Sequence, residues 1–286
     1  MCELHKAEAP AKNQLNKNAS AVSNAEALPQ REVNAVSSLN AEPQKTPLGG
    51  GVIIYSTPEY RYGTDAVILA HFAGVRKNDT VCDLGCGGGI IPLIHCRNGL
   101  GKTLYGVDIQ AAACDLGKRA ARENGFTNLK IINADIRDID TLKRSLPLSA
   151  MDVVTCNPPY KKSGAGITNP NDARYIARHE AECTLLDVCN AAKRLLRSGG
   201  RLCVCHRPER LADIFAAMRE NKIEPKTLRT VHQRKDTEPW LILVEGRRDG
   251  NSGMKIMPPL YIEGENGEPN SPEMLTIYGN YKDGHI

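Results

Sequence analysis

From Thr80 onward the chain alternates short apolar runs of strand length with stretches of helical periodicity, and this alternation constrains the fold more than any other feature. The strand-like runs are Val81–Leu84, Thr103–Val107, Leu129–Ile132, Met151–Cys156, Arg201–His206 and Trp240–Glu245. Helical stretches cover Ile90–Cys96, Ala111–Asn124, Ala177–Leu196 and Pro208–Asn221. Strands interleaved with helices in this way predict an α/β domain with a mostly parallel sheet and helices on both faces. Pro208 suits a first helical turn, and Ser198-Gly199-Gly200 is expected to close the long helix before the next strand. Upstream, Val52–Tyr55 reads as a strand facing Tyr60-Arg61-Tyr62 across a Ser-Thr-Pro-Glu turn. Thr64 or Asp65 then opens a helix through Ala70.

The flanks are different in kind. Residues 1–46 contain no Phe, Tyr or Trp and are rich in Ala, Asn, Ser, Glu and Gln. Such a segment buries too little apolar surface to offset its ordering entropy and is expected to be a disordered tail. The expected domain covers 47–250. Residues 251–286, rich in Gly, Pro and Asn, form an acidic extension expected to consist of loops, at most one short strand, and to pack partly on the domain. No run of about 18 apolar residues is present, so no membrane span is expected. The N-terminus lacks the basic and apolar stretches of a secretory signal, and a cytoplasmic location is expected. The 10 cysteines form no C-x-x-C pair and mostly sit in apolar runs, which suits buried reduced thiols and gives no metal site. Charge is uneven: 19 Lys and Arg stand against 12 Asp and Glu between residues 160 and 255, and 1 against 5 beyond that. A basic half is what a polyphosphate partner needs, and also what many solvated surfaces look like.

The turn Asp83-Leu84-Gly85-Cys86-Gly87-Gly88-Gly89 follows an apolar strand and opens a helix. Its glycines permit a tight turn and let a ligand approach the backbone at the helix N-terminus. Alone, such a turn also fits a dinucleotide oxidoreductase. Two further acids shift the balance. Asp108 ends the next strand, where a carboxylate can take both ribose hydroxyls, and Asp135 ends the third, placed to accept from an adenine amino group. Any one of these acids could simply cap a helix. Three together describe a nucleoside pocket. The order D-x-G-x-G-x-G, with Asp83 placed to fix the turn and hold a methionine amine, favours S-adenosylmethionine over a nicotinamide.

The fourth strand runs into Asn157-Pro158-Pro159-Tyr160. An amine conjugated to a ring or carbonyl is a poor nucleophile because its lone pair is delocalised. The Asn157 side-chain carbonyl and the Pro158 backbone carbonyl can accept from both of its N–H bonds. They would aim the nitrogen lone pair at an electrophilic methyl and oppose the charge developing on nitrogen. The prolines stiffen the loop, and Tyr160 offers a face on which an extruded base can stack. No metal, covalent intermediate or dedicated base is required.

Taken with Tyr62–Ala70, Arg178-His179-Glu180 and His206-Arg207-Pro208-Glu209-Arg210, these motifs resemble the bacterial valine-tRNA adenine-N6 methyltransferase family over roughly residues 48–262. The resemblance implies a Rossmann-like class I methyltransferase, a seven-stranded sheet with an antiparallel last strand, S-adenosylmethionine as donor, and an adenine beside the anticodon as target. It also implies cofactor binding by Asp83, Gly85, Gly87, Asp108 and Asp135, with Thr64 and Asp65 near the methionine end and Asn157 between cofactor and base. Asn157, Pro158 and Tyr160 would hold the base. The chain departs from the family in Cys86 and Gly88, where hydroxyl residues are common, and in its long polar N-terminal segment.

Lys161, Lys162, Arg174 and Arg178 follow the catalytic loop and are the expected RNA contacts. Arg207 and Arg210 suit phosphate contact and salt bridging equally, and Arg229, Arg234 and Lys235 are further candidates for the RNA backbone. His179 and Glu180 face different sides of a helix and are assigned structural roles. Three rivals stay open: a protein glutamine-N5 methyltransferase acting on a release factor, a DNA adenine methyltransferase, and an idle RNA-binding relic. The sequence leaves the oligomeric state, monomer or homodimer, open.

Overall fold

The computed structural model of the chain describes residues 42–58, 60–158 and 183–279, the Asn266 side chain aside. A sheet of nine strands forms its centre. Three parallel strands, β3 (Thr80–Leu84), β4 (Thr103–Asp108) and β5 (Leu129–Asn133), run from the middle to one edge. On the other side β3 pairs in parallel with β6 (Met151–Cys156), and β6 with β7 (Leu196–His206). β9 (Pro239–Arg248) inserts antiparallel between β7 and β8 (Ile223–His232). Seven long strands with the last antiparallel therefore match the expected topology. Two short strands, β10 (Lys255–Ile256) and β11 (Leu260–Tyr261), extend the β8 edge.

Because side chains alternate along a strand, the sheet separates two apolar cores. Val81, Val153 and Cys203 face one core; Cys82, Val154 and Val204 face the other. The first is covered by α1 (Thr64–Phe72), α2 (Ile90–Arg97), α3 (Ala111–Glu123) and α7 (Pro272–Tyr278). The second is covered by α4 (Ile139–Ser145), α5 (Leu185–Leu195) and α6 (Leu211–Glu220). Leu69, Leu93, Leu195 and Leu202 are fully buried. Burying each such side chain contributes about 1.5–3 kcal/mol.

Several local expectations need correction. β2 (Val52–Ser56) does not face Tyr60–Tyr62. It pairs antiparallel with β1 (Gln44–Gly49), which starts inside the segment expected to be a disordered tail. Polar Gln44, Lys45 and Thr46 together with Pro47 hide this edge strand from a hydrophobicity reading. The other edge of β2 is closed by one side chain: Asn124 accepts from Ile53 N–H at 2.9 Å and donates to Ile53 C=O at 2.6 Å. Tyr60 closes a turn, its N–H donating to Thr57 C=O at 3.2 Å.

The helix expected over Ala177–Leu196 is described from Leu185, where Thr184 and Asp187 form a reciprocal cap; residues 177–182 lie outside the described residues. It stops at Leu195, ahead of the expected Ser198-Gly199-Gly200 closure, and β7 begins at once. Gly200 lies within β7, where a Cβ would come 2.8 Å from Met151 C=O.

The extension is more ordered than expected. Besides β10 and β11, it supplies α7, capped by Ser271, whose Oγ accepts from Met274 N–H at 3.2 Å. Buried Arg229 on β8 donates two hydrogen bonds of 2.7 Å to Glu273 of α7 and a third of 3.0 Å to Pro258 C=O. Arg229 is therefore a structural tie and not a phosphate contact. Among the described residues, no helix is long and apolar enough to cross a membrane.

Candidate active site

The carboxyl ends of β3, β4 and β6 and the loop after β5 open into one cleft of about 520 Å³. That size suits a small-molecule site. The cleft begins with the glycine turn. Gly85, Gly87 and Gly89 have φ of 70°, 52° and 82°, a region that L side chains rarely adopt. Their chain path is pinned from the neighbouring strand: Gly85 and Cys86 N–H both donate to Val107 C=O, at 2.8 and 3.0 Å. Asp108 completes the turn, accepting from Gly87 N–H at 2.7 Å and from Gln110 N–H at 2.9 Å through its other oxygen. Each carboxylate oxygen has a second lone pair, so Asp108 can brace the turn and still accept from a ligand.

Asp83 is buried one strand away and accepts from Thr155 Oγ1 at 2.6 Å. Burial pushes its carboxyl up to about 7, the Thr155 hydroxyl counteracts this, and the Asp108 charge adds to it. Asp65, in the first turn of α1, is also buried and lines the same cleft. Two buried carboxyls in the lining of one cleft suit a cationic group.

Asp135 differs. It is partly exposed, and Arg137 donates to both of its oxygens, with contacts of 3.0 Å from Nε and 2.6 Å from Nη2. These bonds hold its carboxyl below the usual range. Any adenine amino group would have to share it with Arg137.

Asn157 and Pro158 enter the cleft directly from β6. Asn157 Oδ1 accepts from Cys205 Sγ at 3.0 Å. The cleft thus brings together Asp65, Asp83, Gly85, Gly87, Asp108, Asp135, Asn157 and Pro158. It does not include Thr64, whose hydroxyl lies 3.3 Å from Tyr278 Oη on α7. Tyr160, Lys161, Lys162, Arg174, Arg178, His179 and Glu180 lie outside the described residues.

Sequence reasoning missed several lining residues. Ile109, half exposed, and Ile136 supply apolar walls suited to a flat base, and Gln110, Arg137 and Tyr62 add polar edges. Ile109 and Ile136 each directly follow or nearly follow an acid that was found, so the strand-end position itself was the available signal. Of the basic candidates, Arg207 pairs with Glu209 at 2.8 Å and Arg210 with Asp213 at 2.6 Å, both in salt bridges at a helix start. Arg234 lies 3.9 Å from Glu263, and Lys235 is exposed.

The residues present fit an adenosyl sulfonium amino acid. Buried acids suit its ammonium, Asp108 keeps acceptor capacity for ribose hydroxyls, and the isoleucines give the cleft apolar lining for a base.

Comparison with known proteins agrees with this geometry. The profile of the methyltransferase domain family matches residues 75–249. A tRNA1(Val) (adenine(37)-N6)-methyltransferase of Flavobacteriaceae bacterium strain 3519-10 is 24% identical over 204 residues, covering 71% of this chain and 83% of its own. Its counterpart from Porphyromonas gingivalis is 28% identical over 192 residues, covering 65% of this chain and 74% of its own. In fold, a crystal structure of a predicted O-methyltransferase from Agrobacterium tumefaciens aligns with a TM-score of 0.60 at 18% identity, covering 76% of this chain and 96% of that one.

Proposed function

We propose that this chain, which belongs to the family of methyltransferase domains, transfers a methyl group from S-adenosylmethionine to the exocyclic N6 amine of an adenine in tRNA. The observation that carries the proposal is the placement of Asn157 and Pro158 in the same cleft as the glycine turn, Asp83 and Asp108. The names of the relatives in Flavobacteriaceae and Porphyromonas support the finer reading, an adenine beside the anticodon of valine tRNA. A tRNA substrate also supports a cytoplasmic site of work.

The donor supplies an electrophilic methyl on a sulfonium centre. The chain's own residues do the rest. Asp83 and Asp65, both in the lining of the cleft, meet the positive charge of the donor. Asp108 accepts from ribose hydroxyls while holding Gly87, so the turn and the ligand are fixed by one side chain. Asn157 Oδ1 and Pro158 C=O accept the two N–H bonds of the adenine amine and draw its nitrogen towards tetrahedral geometry. Both oxygens also oppose the positive charge that builds on nitrogen, a preorganised electrostatic contribution. The surplus proton leaves to water after transfer. Tyr160 stacks the base, and Lys161, Lys162, Arg174 and Arg178 contact the flanking phosphates in this reading.

The test is transfer of labelled methyl from S-adenosylmethionine to purified tRNA, followed by nucleoside analysis. N6-methyladenosine is the expected product. A release-factor glutamine methylated instead, with tRNA untouched, would overturn the proposal.

A further inference from the structure

The Asn157 amide is held from the neighbouring strand as well as by its own backbone. β6 and β7 pair with Thr155 opposite Cys203 and Cys156 opposite Val204, so continuing the register brings Asn157 beside Cys205. Cys205 is fully buried, and its thiol donates to Asn157 Oδ1 at 3.0 Å. We propose that Cys205 is a positioning residue, whose thiol fixes the Asn157 amide with its carbonyl oxygen available to the substrate amine. This rests on the reading of Asn157 as the acceptor for that amine.

The chemistry of the pair favours this role. The terminal torsion of an asparagine is broad and roughly two-fold, so the backbone alone leaves oxygen and NH2 nearly interchangeable. The two ends have opposite consequences, since NH2 turned to an amine would set donor against donor. With Cys205 Sγ 3.0 Å from Oδ1, the thiol proton is donated to the oxygen and so selects the carbonyl end of the amide. The carbonyl has two lone pairs, and the thiol takes one, leaving one for the substrate. The weakness of an S–H donor is useful here: a strong donor would withdraw electron density from the oxygen that must oppose charge on the adenine nitrogen.

The experiment uses the full chain and its Cys205→Ala, Cys205→Ser and Cys203→Ala variants. Cys203 lies two residues earlier on the same face of β7 and controls for lost packing. Folding is checked by thermal melting, donor binding by calorimetry, and turnover on tRNA by methyl transfer. Cys205→Ala lowers kcat about tenfold while the KM for tRNA and the Kd for S-adenosylmethionine move less than about twofold. Cys205→Ser, which restores a donor, recovers kcat to within about threefold of the unmodified chain, and Cys203→Ala stays within about twofold. An independent readout is the infrared S–H stretch of Cys205, isolated as the difference between the unmodified chain and Cys205→Ala. Asn157→Ala shifts that band to higher frequency as the acceptor is lost.

A band unmoved by Asn157→Ala overturns the contact, and unchanged kcat in a folded Cys205→Ala overturns the role. If the unmodified chain leaves tRNA adenine unmethylated, the reading of Asn157 fails, and the role of Cys205 fails with it. The infrared result then still reports separately on whether the thiol and amide meet.

Discussion

The two sides of the cleft are built differently. On the β3–β4 side the ligand surface is backbone, braced internally: Val107 C=O takes two turn amides, Asp108 takes a third, and Asp83 is anchored by Thr155. On the β6–β7 side the surface proposed to meet the substrate amine is the side-chain amide of Asn157 and one carbonyl at the end of a strand, with the Cys205 thiol of β7 against the amide. The first arrangement holds its own surface in place through several internal bonds. The second leaves few atoms, each of which would matter in the proposed reaction. Substitutions on the first side should therefore be read mainly in affinity, and on the second side mainly in rate.

The sharpest break is expected at Asn157. Asn157→Ala should cut kcat by about two orders of magnitude or more, with the Kd for S-adenosylmethionine within about twofold of the original by calorimetry. Equal losses in both would erase the distinction between the two sides. Next comes Asp108→Ala, which removes the ribose acceptor and the partner of Gly87 N–H together. Donor affinity should fall about thirtyfold, while kcat at saturating donor changes far less.

Asp83 gives a pH signature. Its folded-state carboxyl is raised to about 7, so it is neutral below that pH and charged above it. If it meets the donor's ammonium, the Kd should weaken about tenfold per pH unit as pH falls below 7, and Asp83→Asn should flatten the profile. The sign for stability is opposite. A raised carboxyl favours the folded state at low pH and loses that advantage as pH rises through 7. Asp83→Asn should therefore raise the Tm of the ligand-free protein at pH 8 by roughly 5 °C while abolishing tight donor binding.

The smallest effect is expected at Arg137. Its pair with Asp135 is partly exposed, and such pairs contribute little. Arg137→Ala should change donor affinity by less than about threefold. A larger loss would show that the guanidinium itself touches the ligand.

The cleft-lining residues at the strand ends were legible in the sequence because parallel strands deliver their carboxyl ends to the same sheet edge. Asp83, Asp108 and Asn157 needed only their strands to be recognised. What remained hidden depended on partners distant in sequence. Asp135 follows its strand much as Asp108 ends its own, yet Arg137 occupies it. Thr64 stands beside Asp65 in the chain, yet it turns to Tyr278, a residue 214 positions away. Cys205 had no signature at all, since its meeting with Asn157 requires the register of two strands separated by a helix. The hairpin was misread for a related reason. β1 is polar and holds a proline, so only its pairing reveals it. Helix α4, short and mostly exposed, offered too little periodicity to be noticed.

The Arg229–Glu273 tie has a practical consequence for anyone trimming this chain. The stretch matched by the family profile ends at residue 249, which invites truncation there. A protein cut at that point would keep the cleft on paper but strand a guanidinium in the interior with its counter-charge gone, and leave the β8 margin open to pairing with other molecules. Residues 250–279 act as a keystone, and a shortened version should be suspected of clumping before it is judged inactive.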